Sequence, residues 1–218
     1  MKTLCKYILI ALAVISVSGC GMKEEESTST LPYYNGSDFT PIWIAPGESV
    51  PDSIHKVEQF SFTDQNGETV TNETYEGKIY AANFFFTSCP SICPVMTKNL
   101  KTVEDEFADD DEVMFISHSV TPDIDSVERL RQFADTYGID DDKWHMVTGD
   151  KADIYNLAWY SYFADENPGF SEDSSEFIHS EHVLLVDQNG YIRGVYKGTL
   201  ELEMQRMSDD IAILESEN

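Results

Sequence analysis

The stretch that most constrains the fold is Lys78 to Thr87, KIYAANFFFT, a nearly continuous apolar run of strand length. A strand with no polar alternation has no face to offer water, so it must be buried on both sides. Then follows Val95 to Phe107, in which Met96, Leu100, Val103 and Phe107 recur at spacings of three and four, the period of a helix with one buried stripe. Glu112 to Val120, EVMFISHSV, is a second run of the first kind. A strand, a helix and a strand of these lengths predict a right-handed βαβ unit.

The remaining elements extend that unit. Val57 to Thr63 and Thr69 to Thr71 flank Asp64-Gln65-Asn66-Gly67, a hairpin turn in which Asn-Gly tolerates positive φ. Asp125 and Ser126 can cap a helix through Tyr137, with Val127, Leu130, Phe133 and Ala134 on its buried stripe. Trp144 to Thr148 reads as a short strand and Ala152 to Phe163 as a helix. Glu181 to Val186 and Tyr191 to Lys197 form a hairpin around a second Asp-Gln-Asn-Gly turn, and Leu202 to Leu214 closes the chain as an amphipathic helix. This order predicts a thioredoxin-like α/β fold, a central mixed sheet flanked by helices, with an extra N-terminal hairpin. One domain, residues 54–218, accounts for it.

Ahead of that domain, residues 1–19 have the layout of a secretory leader: Lys2 and Lys6, then an apolar run from Tyr7 to Val17. It ends in Val17-Ser18-Gly19-Cys20, which resembles a bacterial lipobox, so Cys20 is the expected lipid attachment point. The alternative is an uncleaved membrane helix with an incidental cysteine; either way the bulk of the chain leaves the cytosol, facing the periplasm or cell exterior. Residues 20–53 are then the lipidated cysteine and a tether. Its first half is charged and polar with nothing to bury, whereas Phe39, Ile42, Trp43 and Ile44 predict that its second half packs on the domain. The whole chain carries 14 basic and 40 acidic residues, a formal charge of −26. Such a surface repels nucleic acid and anionic lipid headgroups, and a monomer is the default.

With Cys5 lost in the leader and Cys20 lipidated, Cys89 and Cys93 are the free sulfurs of the mature chain. They sit in Phe84-Phe85-Phe86-Thr87-Ser88-Cys89-Pro90-Ser91-Ile92-Cys93-Pro94, where a buried strand gives way to a helix. Helix N-terminal amides and the dipole favour a thiolate there, and a spacing of four puts both sulfurs on one face. A disulfide between them would close a very small loop and stabilise little, so the pair is chemical rather than structural. Two soft thiolates select copper, zinc or an iron–sulfur centre; structural zinc and iron–sulfur sites need more ligands than two cysteines supply. A plain redox dithiol without metal is the other reading. A peroxidase of peroxiredoxin type is disfavoured, since it wants a threonine three residues before the attacking cysteine, where Phe86 stands.

Five histidines are available as a third ligand. His55 and His145 read as surface or satisfied residues, and His118, near the end of the neighbouring strand, as a supporting or gating residue. His179 and His182 are the stronger candidates, and in an extended chain they face opposite ways.

The segments FFFTSCPSICPVMTKNL, SHSVTPDIDSVERLRQFADTYG, WHMVTGDKADIYNLA and IHSEHVLLVDQNGYIRGVYKGT resemble the Sco/SenC family of copper chaperones of cytochrome c oxidase assembly, from about Ile54 to Leu214. The resemblance implies a copper site of Cys89, Cys93 and His179, the histidine eleven residues before the hairpin glycine Gly190, with His182 the lesser candidate. It also implies delivery to a copper-accepting oxidase subunit, or a thiol–disulfide oxidoreductase that keeps that subunit's cysteines reduced. Asp125 matches an acidic position of the family, where capping explains it as well as a redox or metal role, and His118 departs from the commoner acidic residue.

Overall fold

The structure, a computed structural model, describes residues 30–164 and 180–217. Along the chain run β1 (Tyr33–Tyr34), β2 (Pro41–Ile42), β3 (Ser61–Thr63), β4 (Thr69–Thr71), β5 (Ile79–Phe85), α1 (Ile92–Glu106), β6 (Val113–Ser119), α2 (Val127–Tyr137), β7 (Trp144–Val147), α3 (Lys151–Asn156), β8 (His182–Val186), β9 (Ile192–Lys197) and α4 (Glu201–Ser216).

The central sheet has the order β7-β6-β5-β8-β9. The βαβ unit makes β5 and β6 parallel, with Ile79 opposite Val113 and Phe85 opposite Ser119, while β8 runs antiparallel to β5. All seven residues of β5 are buried, which is why its sequence shows no alternation. The pleat nonetheless sorts its side chains. Ile79, Ala81 and Phe85 join Met96, Leu100 and Val103 of α1, Leu130 and Ala134 of α2 and Met204, Met207 and Ile211 of α4 in one core. Tyr80, Ala82 and Phe84 join Phe62, Val70, Ile154, Leu157 and Tyr162 in a second core on the opposite face. This is the thioredoxin-like arrangement, a mixed sheet between layers. Each large apolar side chain so buried contributes about 1.5–3 kcal/mol.

The two Asp-Gln-Asn-Gly turns close by the same local device. Asp64 accepts the amides of Asn66 (2.8 Å) and Glu68 (2.9 Å), and Asp187 accepts those of Asn189 and Tyr191 (both 3.0 Å); Gly67 and Gly190 take positive φ, 80° and 84°. The first turn also braces the sheet. Buried Gln65 donates to the Trp144 carbonyl (2.9 Å) and accepts from the Met146 amide (2.7 Å), pinning β7 from outside the ladder.

Residues 30–48 form an arm with structure of its own. Leu31 is buried, and β1 pairs antiparallel with β2. Buried Arg193 holds the start of the arm, donating to the carbonyls of Pro32 (3.1 Å) and Leu31 (2.8 Å) and pairing with Asp187 (3.0 Å) and Glu217 (2.8 Å). Phe39 packs on the domain as expected. Trp43 does not: it is 65% exposed, just past β2, whose only strand partner among the described residues is β1. The expected helix from Ala152 is regular only in α3, after which Leu157–Ser161 widens into a π turn.

Candidate metal centre

Cys89 and Cys93 lie at the corner between β5 and α1, both reduced and both buried. Ser91 occupies the N-cap position of α1, yet its hydroxyl caps nothing. The Cys89 sulfur does the capping instead, accepting the Cys93 amide at 3.5 Å. Burial pushes the Cys89 thiol up, but hydrogen bonds from the amides of Cys93, Ser91 and Ile92, with the Cys93 thiol, outweigh it and the net shift is downward. Cys93 is deeper. Burial, opposed by the Phe86 amide and reinforced by the neighbouring Cys89, pushes it up to about 12. The corner thus holds one thiol biased toward thiolate beside one held protonated.

Around the sulfurs, Phe85 packs on Phe133 (centroids 5.3 Å) and Phe133 on Tyr137 (4.6 Å). Tyr137 is raised by burial and then by the charges of Cys93 and Cys89, so its hydroxyl lies within their field. Beneath them, Met96 is locked by the Asn83 amide (3.8 Å), which belongs to a buried chain running through Ser117 to the Trp144 indole.

Asp125 proves more than a cap. Ser126 caps α2, accepting the Arg129 amide at 3.4 Å. The fully buried carboxylate of Asp125 accepts the amide (3.1 Å) and hydroxyl of Thr87 and the hydroxyls of Ser119 (2.7 Å) and Thr121 (2.9 Å), with Arg129 3.6 Å away. Arg129 also donates to the Thr87 hydroxyl at 2.6 Å. Two residues before Cys89, the chain is therefore tied to the end of β6 and the start of α2. Sequence reasoning missed this role because an acidic residue beside a serine at a helix start looks like one of two interchangeable caps.

The histidines separate clearly. His55 bonds the Ser161 carbonyl (2.9 Å) and His145 the Asp64 carboxylate (3.1 Å), both satisfied as expected. His118 shares the Phe84 face of the sheet, away from the cysteines, among Phe84, Phe62, Tyr162 and Phe60 at 5.0, 5.5, 5.6 and 5.9 Å. It touches the second core, so a gate on the cysteines is not where it sits. His182 opens β8, its ring edge-on to Phe39 at 5.4 Å; since Val183 packs in the cysteine core, the pleat turns His182 to the other face. His179 lies outside the described residues, as do Cys5 and Cys20. Among the described residues, no cluster of three or more His, Cys, Asp or Glu could hold a metal ion, and none of the helices is long and apolar enough to cross a membrane.

Comparison with known proteins places this corner in a family. Residues 49–214 match the family model SCO1/SenC. The SCO1 protein homolog of Bacillus subtilis is 32% identical over 166 residues, covering 75% of this chain and 85% of that protein. A SCO1/SenC family lipoprotein from Bacillus anthracis superposes with TM-score 0.66 at 28% identity, over 74% of this chain and 95% of that one. BsSco, a member of the Sco family of cytochrome c oxidase assembly proteins in which a disulfide switch was identified, gives 0.64 at 29%, over 74% and 94%. Bradyrhizobium japonicum ScoI, solved with copper bound, shares the fold at TM-score 0.54 and 24% identity, over 73% and 99%. The chain belongs to the SCO1/SenC family.

Proposed function

We infer that this protein binds copper outside the cytoplasm through the sulfurs of Cys89 and Cys93 and the imidazole of His179, and delivers it to a copper-accepting subunit of cytochrome c oxidase. The observation that carries the reading is the corner itself: one sulfur stabilised by three helix-start amides and a second one helical turn on, with the family resemblance supplying His179 as the third ligand. Soft thiolates are the donors copper prefers. Low coordination suits a carrier, since an incoming ligand can displace one donor at a time. Two relatives point the same way, one solved with copper and one an oxidase assembly protein. His182, turned to the other face by the pleat of β8, is the weaker third ligand.

The split between the two thiols supports a second reading, a thiol–disulfide oxidoreductase acting on the recipient's cysteines. There the Cys89 thiolate would attack one sulfur of the partner's disulfide, breaking that S–S bond, releasing the partner's first thiolate and forming a mixed disulfide with the other sulfur. Cys93 would lose its proton and displace the partner's second thiolate, and the pair would leave oxidised by two electrons. The proposed lipid on Cys20 would hold either activity at a membrane, facing the periplasm or cell exterior.

Copper titration of the reduced protein tests the first reading. One equivalent with a thiolate-to-Cu(II) absorption band is expected, abolished by Cys89→Ser or Cys93→Ser, much weakened by His179→Ala and unchanged by His182→Ala. Saturation by zinc in preference to copper, or no saturable binding, would leave the reductase standing.

A further inference from the structure

The arm ends in an apolar surface that the copper corner does not use. Pro41-Ile42-Trp43-Ile44-Ala45-Pro46 is six residues without a charge in a chain with 40 acidic residues; Pro41, Trp43, Ala45 and Pro46 are exposed and Ile42 and Ile44 half-buried. Trp43, at 65% exposure, is among the most exposed large apolar side chains described.

Its position along the sheet follows from the register. The arm starts at the Arg193 clamp, beside the Asp187–Gly190 turn, with Tyr33 against Tyr191 at 5.4 Å. It rises until Phe39 meets His182, then returns through β2, whose Ile42 lies opposite Tyr33. Trp43 therefore stands at the clamp end. That end is remote from the cysteines: Val186, just before the turn, pairs with Tyr80 near the start of β5, whereas Cys89 follows the end of β5. Seven residues of β5 at roughly 3.3 Å each separate the two ends by about 20 Å. Ile44, Ala45 and Pro46 also line a cavity of about 300 Å³ together with Thr30, the point where the chain leaves for Cys20.

We propose that this end of the domain rests on a phospholipid bilayer, with Trp43 seated among the headgroups. The proposal builds on the lipid at Cys20 inferred above. Nine residues lie between Cys20 and Thr30, ten Cα–Cα steps, so even fully extended the tether reaches no more than about 35 Å, and the Trp43 surface lies beside its exit. An indole with an apolar body and one N–H is suited to the interface between hydrocarbon and water, and a surface helped by a lipid chain needs only modest apolar area to settle there. The acidic remainder of the protein keeps the contact local and favours zwitterionic over anionic headgroups. Held this way, the cysteines face outward, about a strand's length from the surface, where a recipient can reach them.

The test uses the full processed chain, purified from membranes and reconstituted into phosphatidylcholine vesicles with or without brominated acyl chains. Trp43 is too exposed for its replacement to unfold the domain, and near-ultraviolet circular dichroism checks this for Trp43→Phe. The expected result is that the protein floats with the vesicles and that brominated chains quench part of its tryptophan emission, a loss absent in Trp43→Phe. Floating without quenching, or quenching that persists in Trp43→Phe, would overturn the bilayer contact while leaving the lipid anchor intact. A protein that does not float would refute the anchor and the contact together.

Discussion

Replacing His118 should make the protein more stable and less sensitive to acid. The ring is fully buried among Phe84, Phe62, Tyr162 and Phe60, and among the described residues neither of its nitrogens has a hydrogen-bond partner. Burial alone drives its pKa from 6.5 to about 3. An unfolded chain therefore takes up a proton below about pH 6.5 that the folded chain refuses until about pH 3, so stability is complete above the first value and falls as pH drops between them. Each pH unit in that window costs about 1.4 kcal/mol, or about 2.7 kcal/mol between pH 7.5 and 4.5. His118→Leu keeps nearly the same volume and removes both the proton site and two unpartnered polar atoms, whose burial costs about 1–3 kcal/mol. Urea unfolding of the reduced protein at the two pH values measures both effects. All carboxylates titrate alike in the two proteins, so the difference between their curves isolates His118. The variant should be more stable at neutral pH, and the gap should widen on acidification. Parallel curves, or a variant less stable at pH 7.5, would refute the reasoning.

Two further outcomes follow from the corner. Because the Cys89 thiol is lowered and Cys93 is pushed up to about 12, limiting iodoacetamide near neutral pH should place its adduct on Cys89, as read by peptide mass spectrometry; an adduct on Cys93 first would contradict the arrangement. Asp125→Ala removes, from a fully buried position, the shared acceptor of the half-buried Thr87 amide and of three hydroxyls, so it should cost about 3–5 kcal/mol in denaturant unfolding, and a loss under about 1 kcal/mol would show that the carboxylate is not the tie it looks.

Some of the site was legible because its code is local. A sulfur placed where an all-apolar strand gives way to a helix meets helix-start amides whatever the rest of the chain does, and the structure finds both cysteines at that corner with Cys89 held by three of them. The environment of Thr87 was not legible, since Asp125 reaches it across 38 residues and could equally have capped α2. Nor was the side of the sheet on which each histidine falls. A shift of one residue in a strand exchanges its faces, and β6 and β8 are buried on both, so their sequences carry no mark of which face meets the cysteines.

What the sequence determined by itself is what short-range physics dictates: the buried βαβ unit, two turns closed by their own aspartates, the cysteine corner and the sign of the surface charge. Tertiary structure alone decided that His118 belongs to an aromatic core, that His182 turns from the sulfurs, and that a single arginine gathers the arm and the last helix. Arg193 takes the Leu31 carbonyl across 162 residues and Glu217 from the other end of the chain. Contacts of that separation leave no periodicity to read. They exist only once the sheet has set which residues are neighbours.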